Sequence, residues 1–420
     1  MRVVYGIQMK NRLLHILFTA FSAIFIIANP GFVYGSNIRK DASPVIFVHG
    51  EGDSAAYWQD IVWRFESNGW PRNRLFALQQ PYPLAREREA EVQPGRSSDA
   101  EHLEFLKTEV DKVLALTGAK QVTLFGHGRA TYAIRNYILN ADGDRVVSHV
   151  VLSWPDGPWP GARGKLALSD YESAALKGVK TLVFARAEQR DGAFSIAQFE
   201  DSFRFITGQP PNSPVIQPQL ELAINGLVTG MGVKPGDRAS PGSNFYNNLP
   251  LPKARLEIYA VELGTGFRIG GVVYQKAIGA DGRWGPFLAQ QGVAYEFVVR
   301  APGYAVTHIY RSPFPRGSDL VHLKASRIAD VDLPAFSIVE MHRSRGFLNP
   351  TVNHLAFDGH TPPPGVPVTA VTTVNTSKIT LNKLQHRAIA AEIHTDSIDR
   401  VVGRTWPAKE SHVVVLELSQ

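Results

Sequence analysis

Apolar residues follow two different periods along this chain, and the change between them divides it. Over residues 44–185, short continuous apolar runs alternate with stretches at helical spacing. Residues 44–48 (PVIFV), 74–78 (RLFAL), 122–125 (VTLF), 146–154 (VVSHVVLSW) and 181–185 (TLVFA) read as strands buried on both faces. Between them, 55–68, 98–116 and 131–139 read as helices. The second of these puts Leu103, Leu106, Val110, Val113 and Leu114 on one face and ends at Gly118. Strands that alternate with helices predict an α/β fold: a mostly parallel sheet with helices on both faces.

From Pro210 the pattern changes. Pro210, Pro211, Pro214 and Pro218, then a glycine-rich stretch over 226–242, mark a boundary, after which helical periodicity fades. Residues 254–261, 272–278 and 294–300 alternate as strands, with turns at 264–266 and 279–286, and predict a sandwich or barrel. A further β-run extends over 337–418 and includes the apolar segments 365–374 and 412–418. At the other end, Lys10 and Arg12 precede an apolar run over 13–28 and a small or polar stretch over 29–36, which is the order of a secretory signal peptide. The expected division is therefore a signal peptide at 1–35, an α/β domain at 36–215, a β-rich domain at 216–330 and a second β-rich region at 331–420.

Composition sharpens the expected address. The chain has 420 residues, no cysteine and a formal charge of +6, to which Arg2, Lys10 and Arg12 of the signal segment contribute. Without cysteine there are no disulfides, no thiolate metal sites and no cysteine catalysis. Export without disulfides predicts a secreted or periplasmic protein, a retained anchor helix being the alternative. The remaining charge is mild and forms no basic block, so nucleic acid is not an expected partner. Neither a metal-binding His-Glu-x-x-His nor a phosphate or dinucleotide glycine loop occurs, and no metal or cofactor is expected.

The candidate chemistry lies between the third strand and its helix. Residues 126–130 (GHGRA) must form a tight strand-to-helix turn, the setting of the nucleophile elbow G-x-S-x-G, in which a strained turn holds a serine hydroxyl above the sheet. Gly128 occupies the serine's place. Glycine has no side chain with which to attack a carbonyl.

The ordered set Val48-His-Gly-x-Gly52, Phe125-Gly-His-x-Arg-Ala130, Pro155-Asp-Gly157 and Phe203-Arg-Phe-Ile-Thr-Gly208 resembles the α/β-hydrolase lipases, in particular two-part microbial lipases with a lipid-binding β-region after the catalytic domain. The resemblance covers most of residues 44–325. It implies a triad of serine, acid and histidine at Gly128, Asp156 and Gln189, of which only the acid is present; no histidine occurs between His149 and His308. It implies oxyanion donors at the backbone N–H groups of Glu51 and Arg129. It also places an aromatic acyl-binding surface near Trp284 and Phe287, for which core filling of a small β-fold is the alternative. Because the histidine activates the hydroxyl and the acid only orients the histidine, two missing members imply impaired catalysis. The expected function is an exported lipase-like protein that binds a lipid, acyl ester or other apolar ligand, with contact to a membrane surface compatible with that role. The alternatives are an active lipase or carboxylesterase using other residues, with Ser54, Thr131, Ser153, His127 and His149 as candidates, and a non-enzymatic interaction scaffold.

Overall fold

In the computed structural model, residues 42–140, 143–153, 166–169, 180–183, 195–232, 247–343, 354–363, 377–381, 386–394 and 397–419 are described. The strands β1 (Val45–Val48), β2 (Leu75–Ala77), β3 (Val122–His127), β4 (Val147–Ser153), β5 (Leu166–Ser169) and β6 (Lys180–Val183) form one sheet in the order β2-β1-β3-β4-β5-β6. Every pairing in it is parallel. Helices α1 (Gln59–Ser67), α2 (Asp99–Thr117), α3 (Arg129–Asn140) and α4 (Ile196–Thr207) cover its two faces. Alternate residues of the central strands feed opposite cores. Ile46, Val48, Leu124, Val150 and Leu152 pack with α2 and α3, while Val45, Phe47, Phe125 and Val151 pack with α1 and α4. That two-sided burial is why these strands read as continuous apolar runs.

Local signals place the helix ends. Ser98 caps α2 in a reciprocal box: its hydroxyl accepts from the Glu101 N–H, and the Glu101 carboxylate accepts from the Ser98 N–H. Gly118 and Gly208 end α2 and α4 in the left-handed region, at φ 65° and 72°. The expected helix over 55–68 is a 3₁₀ turn at Ala55–Trp58 running into α1.

The β-rich part contains β7 (Leu222–Gly230), β8 (Arg255–Val261), β9 (Tyr274–Ala277), β10 (Arg283–Ala289), β11 (Ala294–Arg300), β12 (Val306–Arg311), β13 (Leu323–Ala325), β14 (Ser337–Arg343), β15 (His354–Phe357), β16 (Ser377–Leu381), β17 (Ala388–His394), β18 (Ile398–Arg404) and β19 (His412–Leu418). A seven-stranded sheet, β9-β8-β11-β12-β19-β14-β16, is flanked by the three-stranded sheets β10-β7-β13 and β15-β17-β18. Strand β19 runs parallel between β12 and β14, so the last strand of the chain joins the segments before and after residue 330 in one sheet. Its Val413 and Val415 face one core, its Val414, Leu416 and Leu418 the other. A strand covered on both faces must be apolar at successive positions, as residues 412–418 nearly are.

The expected turn over 279–286 is corrected at its end, because strand β10 begins at Arg283 and contains Pro286. The ladder with β7 shifts register between Trp284 and Phe287, and a proline is tolerated where a ladder is interrupted. The expected strand over 365–374 and the signal peptide over 1–35 lie outside the described residues. Among the described residues no helix is long and apolar enough to cross a membrane.

Candidate active site

Three neighbouring strands of the parallel sheet, β1, β3 and β4, end side by side. Val48 is in register with Gly126, and His127 with Ser153. After His127 the chain reverses at Gly128, whose φ of +53° lies in the left-handed region that glycine reaches without a Cβ penalty. The Gly128 N–H donates to the Ser153 carbonyl (3.0 Å), and the Gly128 carbonyl accepts from the Thr131 N–H (2.9 Å), which starts α3. At Gly126, two residues earlier, packing is tighter: a Cβ would stand 2.5 Å from Ile134 Cδ1, and the isoleucine would have to shift. At Gly128 the nearest atom to such a Cβ is Gly50 Cα at 4.0 Å. Among the described residues, the elbow position thus has room for a Cβ.

The histidines nearby serve the turn. His49 uses both ring nitrogens, Nδ1 lying 2.9 Å from the Gly50 carbonyl and Nε2 accepting from the Gln80 N–H at 3.2 Å. Burial lowers its pKa below the ordinary 6.5 and keeps it neutral. His127 is stacked on Tyr57, ring centroids 4.6 Å apart, with Nδ1 3.5 Å from Asp53 Oδ2. Packing is close enough that a Cβ on Gly50 would meet His127 Nδ1 at 2.7 Å. His149 pairs with Thr123, four residues below the elbow's register and ~13 Å away at the usual rise per residue, which removes it as a base for the turn.

The expected oxyanion residues have well-defined side-chain anchors. The Arg129 guanidinium donates to Ser97 Oγ (3.0 Å), the Ser97 carbonyl (2.8 Å) and Asp99 Oδ1 (3.0 Å), tying the first residue of α3 to the start of α2. Glu51 Oε1 accepts from the Ala85 N–H at 3.0 Å, fixing the loop after His49. Ser54 precedes the 3₁₀ turn and is buried, and its carbonyl accepts from the Tyr57 N–H. Thr131 is buried on α3, and Ser153 ends β4 with its carbonyl taken by Gly128. Asp156 and Gln189 lie outside the described residues.

Sequence reasoning missed what the β-rich part brings to this edge. Asn248 donates through Nδ2 to the carbonyls of Asp53 and Gln80, both at 2.9 Å. Strand β13 and the residue before it present His322 and Lys324 to the same loops. Burial pushes His322 down to about 3, with Lys324 and His49 next in effect. Burial also lowers the Lys324 ammonium, opposed by the carboxylates of Glu417 and Asp53. His102 on α2 is likewise pushed to about 3, by burial and then by Arg129 and His49. An imidazole held that low is neutral at pH 7 and a weak proton acceptor. The signal for both residues was the alternation in Val321-His-Leu-Lys-Ala325, where His322 is buried and Lys324 partly buried.

Trp284 and Phe287 had two readings, an acyl-binding surface or core filling. Trp284 is 2% exposed and Phe287 5%, both within the core between the seven-stranded sheet and β10-β7-β13. The Trp284 indole N–H donates to the Val321 carbonyl at 3.1 Å, and Phe287 packs edge-on against Tyr295 with centroids 5.0 Å apart. Their burial and contacts match the core-filling reading. A cavity beneath Gly126, lined by Trp58, Ile61, Phe125, Val151, Phe199 and Ser202, measures about 10 Å³. That is room for about one water and none for an acyl chain.

Two family models match the chain. One, described as lipase (class 2), covers residues 42–151, and the other, described as lipase C-terminal domain, covers 222–328. Similar solved structures include the lin2722 gene product of Listeria innocua, at 12% identity over 42% of this chain and 98% of that one, with a TM-score of 0.31. Aspergillus fumigatus lipase B shares 11% identity over 44% of this chain and 56% of its own, with a TM-score of 0.29. Bacillus licheniformis lipase BlEst2 in propeptide form shares 10% identity over 87% and 93%, with a TM-score of 0.27.

Proposed function

Starting from a chain that belongs, in both of its matched regions, to the α/β-hydrolase lipases, we propose that it is an exported lipase-like protein that binds a lipid or acyl ester and does not hydrolyse it. The observation that carries this reading is Gly128: an elbow glycine at φ +53° with open room where a side chain would project. A hydrolase of this build needs a hydroxyl there and an imidazole to take its proton. On this reading Gly128 stands at the nucleophile position, Asp156 at the acid and Gln189 at the absent histidine. The backbone N–H groups of Glu51 and Arg129 remain as donors that polarise a bound carbonyl without cleaving it.

The proposed organisation is a signal peptide at 1–35, the α/β domain at 36–215, and the β-rich parts at 216–330 and 331–420, acting in the periplasm or outside the cell, with a lipid-bearing surface as the source of ligand. The test sets two assays side by side: titration with a fluorescent fatty acid, and hydrolysis of short and long p-nitrophenyl esters. Saturable acyl binding without turnover supports the reading. Absence of binding in the first assay points to the scaffold alternative, and turnover in the second removes the proposal.

A further inference from the structure

Far from the elbow in sequence, the seven-stranded sheet carries a chain of ionisable groups, buried at Glu296 and His308 and partly exposed at His412, that the lipid-binding reading does not use. Glu296 on β11 is fully buried and held on both oxygens by Arg268, whose Nε lies 2.5 Å from Oε2 and NH2 3.0 Å from Oε1. His308 Nδ1 on β12 is 2.6 Å from Glu296 Oε1, and His308 Nε2 is 2.7 Å from Nδ1 of His412, the first residue of β19. Trp406 lies flat on both rings, its centroid 4.1 Å from that of His308 and 5.3 Å from that of His412. Its indole N–H donates to the Tyr310 hydroxyl at 3.2 Å.

The proton positions follow from these contacts. A carboxylate engaged by a guanidinium can only accept, so His308 must carry its proton on Nδ1. The neutral ring then offers a lone pair at Nε2, and His412 must donate to it from Nδ1. One proton lies between the two rings. A proton added at His412 Nε2 puts a cation within reach of Arg300. A proton added at His308 Nε2 sets two N–H groups against each other at 2.7 Å.

We infer that Glu296, His308 and His412 form a proton-sensitive latch, closed at neutral pH and released in acid, that fixes the Trp406 segment and the hairpin bearing Arg268 to the sheet. The hairpin is coupled because Arg268 also lies over the rings of Tyr259, 3.6 Å to the centroid, and Trp406, 5.4 Å. That hairpin displays Leu263, Phe267 and Ile269 to solvent, each more than half exposed, so release alters an apolar surface.

The charged and titratable groups around the latch favour its closed, uncharged pair. Burial lowers His412 to about 4, helped by His308, Arg300 and His386 and opposed by Glu410. Burial also lowers His308, with Arg268 and Arg300 adding to it and Glu296 opposing. Glu296 stays below the ordinary carboxylate value despite burial, because His308 and Arg268 hold its anion. Tyr259, Tyr310 and Arg404 complete the set that faces it. A histidine whose pKa is lower closed than open favours the closed form above 6.5 and loses that preference as pH falls towards 4.

The test is hydrogen exchange on the full chain at pH 7.5 and 5.0, corrected for the intrinsic pH dependence, read over residues 262–273 and 404–412. Exchange of both segments should accelerate together by about tenfold. That is below the roughly 30-fold of a full fall from 6.5 to about 4, because half-exposed His412 is partly screened. His412→Gln keeps a donor towards His308 without titrating and should reduce the acceleration to under about threefold. An equal acid response in H412Q, or none in the unmodified protein, overturns the inference. Nitrogen-15 NMR of the unmodified imidazoles decides it independently of how the variant folds. A proton on His308 Nδ1 and a His412 titration well below 6.5 support the latch, and His412 titrating at 6.5 removes it.

Discussion

Gly128 and Gly226 are both glycines at places where two segments of backbone approach, yet the molecule asks different things of them. A Cβ on Gly226, in β7, would stand 1.6 Å from the Val321 carbonyl oxygen, inside the atom it meets. A Cβ on Gly128 would find nothing nearer than 4.0 Å. The β-rich part excludes a side chain at Gly226 because β7 is packed against the loop before β13. The α/β part needs only an unusual φ at Gly128, a conformation that a serine elbow also adopts at some strain. Among the described residues, packing therefore does not demand a glycine at 128. Fold and chemistry are separable at the elbow, and at β7 glycine and fold are not.

Acid should test both parts at once, with the largest effect. His102 in the α/β part and His322 in the β-rich part are both held near 3 by burial, against 6.5 when exposed. The unfolded chain then binds more protons, so their contribution is complete above pH 6.5 and is lost as pH falls towards 3. Together they should cost on the order of 4 kcal/mol between pH 7 and 5. Urea denaturation across that range checks this, and a flat profile would show that one or both imidazoles are paired or solvated. Next in size, Gly226→Ala should destabilise by at least about 3 kcal/mol, since a backbone carbonyl must move to admit the methyl group. A thermal midpoint close to that of the unmodified protein would refute the contact.

Gly128→Ser sharpens the contrast. Strain at positive φ without a clash should cost about 1 kcal/mol, and the folded variant should be recovered in normal yield. A loss as large as that of Gly226→Ala would mean that the elbow is closed to side chains. Smaller or equal is Ser98→Ala, which removes one half of the capping box of α2 and should cost about 0.5–1 kcal/mol by denaturant midpoint.

Much of the α/β part was legible in advance, because burial on both faces writes strands as uninterrupted apolar runs and capping chemistry marks helix ends. The elbow could be located because a strand, a glycine-rich turn and a helix follow one another within 20 residues or so of period change. What could not be read was any contact made at long range. His322, Lys324 and Asn248 reach the loops after β1 only because the β-rich part folds back against them, and nothing local in Val321-His-Leu-Lys-Ala325 says that its polar face is covered by them. Trp284 and Phe287 were ambiguous for the related reason that an aromatic residue in a short strand has the same appearance whether it faces a ligand or a second sheet. Strand β19 was visible as a strand but not as the centre of the sheet, since parallel pairing with β12 and β14 joins residues about a hundred positions apart in one case. The Glu296–His308–His412 chain spans three strands and was invisible for the same reason.

The central claim is that this is a lipase fold without the groups that break an ester, and the most direct measurement is hydrolysis of p-nitrophenyl butyrate and palmitate by the unmodified protein, Gly128→Ser, and Gly128→Ser with Gln189→His. The account predicts no turnover above background for the unmodified protein and little for the single variant, whose hydroxyl has no imidazole to accept its proton. The double variant should turn over measurably, still short of an evolved enzyme because ångström-scale misplacement can cost ~100-fold. Rapid hydrolysis by the unmodified protein, abolished by a serine-directed inhibitor, would contradict the account and move the search to Ser54 and Ser153.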